Sequence, residues 1–150
     1  MRTFPAVLIL LGTITVPALA SSADDKVPDQ QSIAALEARA AQASPREQCF
    51  LYAQLVHEMI EYSARQYSSG EVDKSTYLLK HAEELTHKIH GAVSMDGKKL
   101  KDAQILLRHA AFRLSELIHS ADLQDRPVMT ATLLQLNAAQ NETMLAVFKK

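Results

Sequence analysis

Two Glu-x-x-His sequences, Glu84-Leu85-Thr86-His87 and Glu116-Leu117-Ile118-His119, are the residues of this chain whose types and spacing most readily suggest chemistry. On a helix, side chains three apart share a face and can converge on one metal ion, and di-metal helical bundles add one Glu from each of two further helices. Glu58 or Glu61 and Glu142 are available for that part. The phase of the helices opposes it. With Leu85 at zero and about 100° per residue, His87 falls near 200° and Glu84 near −100°, both away from the apolar stripe. With Leu114 at zero, Glu116 falls near 200° and His119 near 140°, again outward at about 100° per residue. The two motifs also stand on consecutive segments, where the di-metal pattern separates them. His90 pairs with His87 at i, i+3 and could hold a borderline metal weakly. A metal-binding bundle using Glu84, His87, His90, Glu116 and His119 is therefore the alternative reading, and solvated helix faces are the preferred one.

Cys49 is the only thiol. It lies beyond the first turn of its expected helix, where the dipole field has weakened, and no histidine is held beside it by the sequence. A buried, inert free thiol is expected; an exposed one would form an intermolecular disulfide. A thiol enzyme is the third reading and requires a reactive thiolate. No phosphate loop, dinucleotide-binding fingerprint, nucleophile elbow or zinc-protease helix motif occurs. The expectation is a protein that is not an enzyme and carries no cofactor.

The elements that must position these groups are helices. Leu78, Ala82, Leu85, Ile89 and Ala92 follow four-three spacing, as do Ala103, Leu107, Ala110, Leu114, Leu117 and Ala121. A wider arc of Tyr52, Leu55, Val56, Met59, Ile60, Ser63, Ala64 and Tyr67 precedes them. Met129, Leu133, Leu136, Met144 and Val147 follow. A short Ala-rich helix opens at Ile33 and ends near Ala43. Ser44-Pro45-Arg46-Glu47 has the composition of a capping box with Pro at the first helical position, so the next helix runs to about Tyr67. Ser68-Ser69-Gly70 and Asp96-Gly97 are breaks, and Asp125-Arg126-Pro127 starts the last helix, which reaches about Phe148. The fold class is all-α: an antiparallel bundle of four long helices plus one short N-terminal helix.

At 150 residues, 47% hydrophobic and with one Cys, the chain needs no disulfide or zinc staple to build a core. A net charge of −1 excludes a strongly basic nucleic-acid binder. Residues 1–20 have the layout of a signal peptide: Arg2, an apolar run from Ala6, and Ala18-Leu19-Ala20 before Ser21. Residues 21–31 read as a polar, flexible leader, and residues 32–150 as the helical domain. The expectation is an exported protein, periplasmic or secreted, with no membrane association after cleavage.

Ile105, Phe112 and Leu123, with His109 and His119 beside them, form a second stripe on the fourth long segment, nearly opposite Leu114. The favoured account is that the short first helix covers it. The other is that Ile105, Phe112, His119 and Leu123 form an exposed surface for a protein partner or a second copy. The function expected is accordingly protein–protein interaction or self-association.

Two resemblances bear on this. Met59, Ser63, Ser75, Leu79 and Ala82, arranged around Gly70, resemble one tetratricopeptide hairpin over roughly a quarter of the chain. Without the repeat's Trp and closing Pro, the resemblance implies an αα-hairpin and not a solenoid. The exported, Ala-rich chain with SPREQCFLYA at Ser44–Ala53 is similar to small uncharacterised all-helical bacterial proteins. That likeness implies fold and export and carries no site residues.

Overall fold

The computed structural model describes residues 27–93 and 98–149. The expected signal peptide, most of the leader and the turn at Asp96-Gly97 lie outside the described residues. Five helices follow in order: α1 (Gln30–Gln42), α2 (Pro45–Ser68), α3 (Val72–Val93), α4 (Leu100–Ser120) and α5 (Arg126–Phe148). Among the described residues there is no strand.

The long helices form an antiparallel bundle. α2 packs on α3 and α4, and α5 packs on the same two, so α2 faces α5 and α3 faces α4 across the diagonals. The stripes predicted on α3 and α4 are all buried. Leu55, Ile60, Leu79, Leu85, Leu107, Leu114 and Leu136 are among the largest side chains sealed in the common core. Burying each one stabilises the fold by about 1.5–3 kcal/mol before conformational entropy is subtracted.

Local chemistry sets the ends. α2 closes in a Schellman motif: the Gly70 amide donates to the Tyr67 carbonyl (3.0 Å) and the Glu71 amide to the Gln66 carbonyl (2.9 Å). Gly70 has φ +82°, a conformation that a side chain would strain. The hairpin it creates is drawn together inside by Ser63 and Ser75, both buried, whose hydroxyl oxygens lie 2.9 Å apart. These are two of the small positions on which the hairpin resemblance rests.

Three starts differ from expectation. α1 begins at Gln30 rather than Ile33, because Asp29 caps it. The Asp29 carboxylate accepts from the Ser32 amide, and the Ser32 hydroxyl oxygen accepts from the Asp29 amide. The Ser44 hydroxyl does not cap α2; it donates to the Glu47 carboxylate at 3.0 Å. Asp125 does not cap α5 either, since its carboxylate accepts from the Tyr67 hydroxyl at 2.8 Å. The Tyr67 oxygen also accepts from the Asp122 amide at 3.0 Å, which ties the end of α2 to the α4–α5 connection.

The position of α1 corrects a further expectation. It packs on α2, burying Ile33, Leu36 and Ala40, and does not lie behind α4. Arg65 donates to the Pro28 carbonyl, and His81 on α3 meets Glu37 of α1 at 2.8 Å. Only Ala43 and Ser44 separate α1 from α2, and the bonds to Arg65 and His81 hold α1 on the α2/α3 side. The stripe on α4 is left uncovered by α1.

Candidate functional site

The outer side of the α4/α5 hairpin is the first candidate. Phe112 is 67% exposed, Ile105 38% and Leu123 79%, and His119 is exposed beside them. His119 bonds back to the Ser115 carbonyl of its own helix at 2.6 Å. α5 adds residues that sequence reasoning missed: Leu134 is 66% exposed, Leu145 58% and Phe148 81%.

Phe112 and Leu134 are equally distant in sequence from Leu123 in the connection, which sets them at one level of two antiparallel helices. Each lies nearly opposite a core residue two positions away on its own helix, Leu114 for Phe112 and Leu136 for Leu134. On α4, Arg113 reaches Glu61 of α2 and His109 approaches His57 of α2, while Phe112 shares the face of Ile105 and points away from the core. On α5, Glu142 reaches His90 of α3, and Leu134 points away from the core. Within α5 only Arg126 and Glu142 are charged, and Glu142 is committed to the α3 side. Thr130, Ala131, Leu134, Ala138, Asn141 and Leu145 form an exposed, uncharged outer face. A helix apolar on this much of its circumference is ordinarily a covered one, and that signal was available in the composition of Arg126–Phe148.

The residues of the metal reading are not brought together. Glu84, His87 and His90 lie on α3, Glu116 and His119 on α4, and these two helices occupy one diagonal of the bundle. All five residues are exposed, as their phase requires. His87 and His90 line a shallow cavity of about 230 Å³ with Glu142, where the His90 ring meets the Glu142 carboxylate. Glu116 instead meets Arg113 at 3.5 Å. Among the described residues no group of three or more His, Cys, Asp or Glu side chains is disposed to hold a metal ion.

Cys49 is fully buried, and its removal from water, followed by the negative charge of Glu142, pushes its thiol up to about 11. At neutral pH it is a thiol, without the thiolate that nucleophilic chemistry needs.

Two further cavities lie on either side of Phe50. One, of about 440 Å³, is set between α2 and α4 and lined by Phe50, Gln54, His57, Glu58, Asp102, Ile105 and Leu106. The His57 ring lies 6.4 Å from that of His109. Burial pushes the His57 pKa below the usual histidine value; Glu61 and Glu58 oppose the shift and His109 adds to it.

The other, also about 440 Å³, opens at the end of the bundle where α1 finishes, α2 begins and the chain enters α4. Arg39, Lys98 and Lys99 stand around it with Glu47, over Ala43, Phe50 and Leu51. The ammonium of Lys99 lies 4.7 Å from the centroid of the Phe50 ring. Spacing along the sequence could not reveal this group, since Arg39 and Lys98 meet only through the fold.

Among the described residues no helix is long and apolar enough to cross a membrane. No family model, curated protein or solved structure matches the chain.

Proposed function

We propose that this is an exported, non-enzymatic interaction protein whose working surface is the outer side of the α4/α5 hairpin, and that a second copy of the chain occupies it. One observation carries the reading: Phe112 and Leu134, two large apolar side chains each about two-thirds exposed, stand at one level of the neighbouring helices α4 and α5. Size supports a second copy as the occupant. A helix of 23 residues runs about 34 Å, and two helices side by side span about 20 Å. The footprint of about 700 Å² approaches the ~800 Å² per partner of a standard interface. Composition supports it too, because subunit interfaces between identical chains are apolar and poor in charge at their centre. The outer face of α5 would supply that centre. Export rests on the signal-peptide layout of residues 1–20.

Light scattering on the protein lacking residues 1–20 tests the reading. The expected result is a dimer at micromolar concentration, and a monomer of unchanged helicity when Phe112→Asp or Leu134→Asp is introduced. A wild-type monomer at 100 μM would overturn it, as would a folded Phe112→Asp/Leu134→Asp double variant that keeps the dimeric mass.

A further inference from the structure

We infer that the cavity at the α1/α2/α4 end of the bundle binds a small organic carboxylate that carries an apolar body. Three features of the cavity converge on that chemistry. Among the described residues its rim holds three cations, Arg39, Lys98 and Lys99, against one carboxylate, Glu47. The ion pairs formed elsewhere use Lys74, Arg113, His81 and His90, and none engages a rim cation with a described carboxylate. Glu47 itself accepts from the Ser44 hydroxyl at 3.0 Å, which holds it at the first turn of α2. Among the described residues an excess of positive charge therefore lines the opening. A guanidinium and two ammonium groups suit a carboxylate, Arg39 as a two-pronged donor and the lysines as point charges.

The floor specifies the rest of the ligand. Ala43, Phe50 and Leu51 present apolar surface, and Leu51 is buried. A simple inorganic anion would leave that surface wet, whereas an aromatic or branched body would cover it. The volume of about 440 Å³ lies in the range of small-molecule sites, about 300–1,000 Å³. The Lys99 ammonium already lies against the Phe50 ring, so cation and aromatic surface meet at one edge of the cavity. The neighbouring cavity on the other side of Phe50 is a natural contrast: it has equal volume, but Glu58 and Asp102 line it and no Lys or Arg does.

Titration calorimetry with naphthalene-2-carboxylate tests the assignment, with inorganic phosphate and 2-naphthylmethylammonium as paired controls. The carboxylate is expected to bind one per chain, and neither control to give a measurable isotherm at the same concentration. Lys98→Gln/Lys99→Gln should weaken binding at least tenfold while leaving the thermal midpoint unchanged. Phe50→Leu should weaken it less, by removing the ring and keeping the bulk. In the adjacent cavity, Glu58→Gln should leave binding as in the wild type. Equal binding of phosphate, retention of affinity in the folded Lys98→Gln/Lys99→Gln variant, or no heat at millimolar naphthalene-2-carboxylate would each overturn the inference. None of these readouts depends on whether the chain self-associates through α4 and α5.

Discussion

The two hairpins of the bundle are built from helices of nearly equal length, yet they meet their surroundings differently. On the outer side of α2/α3, α1 covers part of α2, and α3 presents Asp73, Lys74, Lys80, Glu84, His87 and Lys88 around one exposed aromatic ring, Tyr77, which stacks on His81. On the outer side of α4/α5, Phe112, Leu134, Leu145 and Phe148 lie open, and α5 offers no charge of its own there. Both hairpins supply leucines to the same core, so folding alone accounts for the inner faces. It does not account for the outer leucines of α5. The first hairpin is partly covered by α1, and the second leaves its outer leucines open.

Four measurements would sharpen or break this contrast. The largest effect belongs to Cys49, at the closed side of α2. With its thiol near 11 and no exposure, alkylation at pH 7.5 in native buffer should be slower by more than about a hundredfold than in denaturant. Comparable rates in the two conditions would show that this side opens.

Next come two leucines of α5 two positions apart. Leu136 is sealed in the core and Leu134 is two-thirds exposed. Leu136→Ala should cost about 2–5 kcal/mol in urea unfolding. Leu134→Ala should stay within about 0.5 kcal/mol under conditions where the chain is monomeric. A large loss at Leu134 in the monomer would mean that its face is already covered.

Tyr67→Phe removes one hydroxyl that joins α2 to Asp122 and Asp125, and should lower stability by about 1 kcal/mol. An unchanged urea midpoint would show that the two hairpins are held together without this bond.

The smallest effect is a pH dependence from His57. Its pKa when folded lies below 6.5, chiefly through burial, so the unfolded chain takes up the proton first as pH falls. The neutral ring imposes no penalty above that value. Stability is then lost progressively as pH drops from the unfolded pKa to the folded one. Between pH 7.5 and 5.5 the wild type should lose more stability than His57→Gln. Parallel pH profiles would remove His57 from the account.

Much of the core could be read directly. A periodic stripe such as Leu78, Ala82, Leu85, Ile89 and Ala92 has one way to leave water, and every member is buried. Outward phases were equally legible for Glu84, His87, Glu116 and His119, because 100° per residue holds whatever the helix packs against. Capping was less legible. Ser44 and Asp125 have capping chemistry, but Glu47 and Tyr67 compete for the same oxygens, and Tyr67 does so from a distant helix. The candidate sites divide the same way. Ile105 and Phe112 stand out along α4, whereas Leu134 becomes their neighbour only when α4 and α5 pair. The cationic cavity draws on three separate stretches of chain.

What the amino-acid sequence determined by itself was the helical class, the number of helices and the inner faces of α2, α3 and α4, since these follow from backbone geometry and apolar periodicity within one segment; on α5 the buried face is Met129, Thr132, Leu136, Ala139 and Thr143, and the expected Leu133, Met144 and Val147 are only half-buried. Which helices became neighbours, that α1 would settle on α2 and leave Phe112 open, and that Arg39 would stand opposite Lys98 were decided only by the tertiary structure. The reason is physical: burial of apolar area is non-directional, so a stripe declares that it must be covered without naming its cover. The choice of cover falls to loop lengths, side-chain shapes and long-range hydrogen bonds acting together.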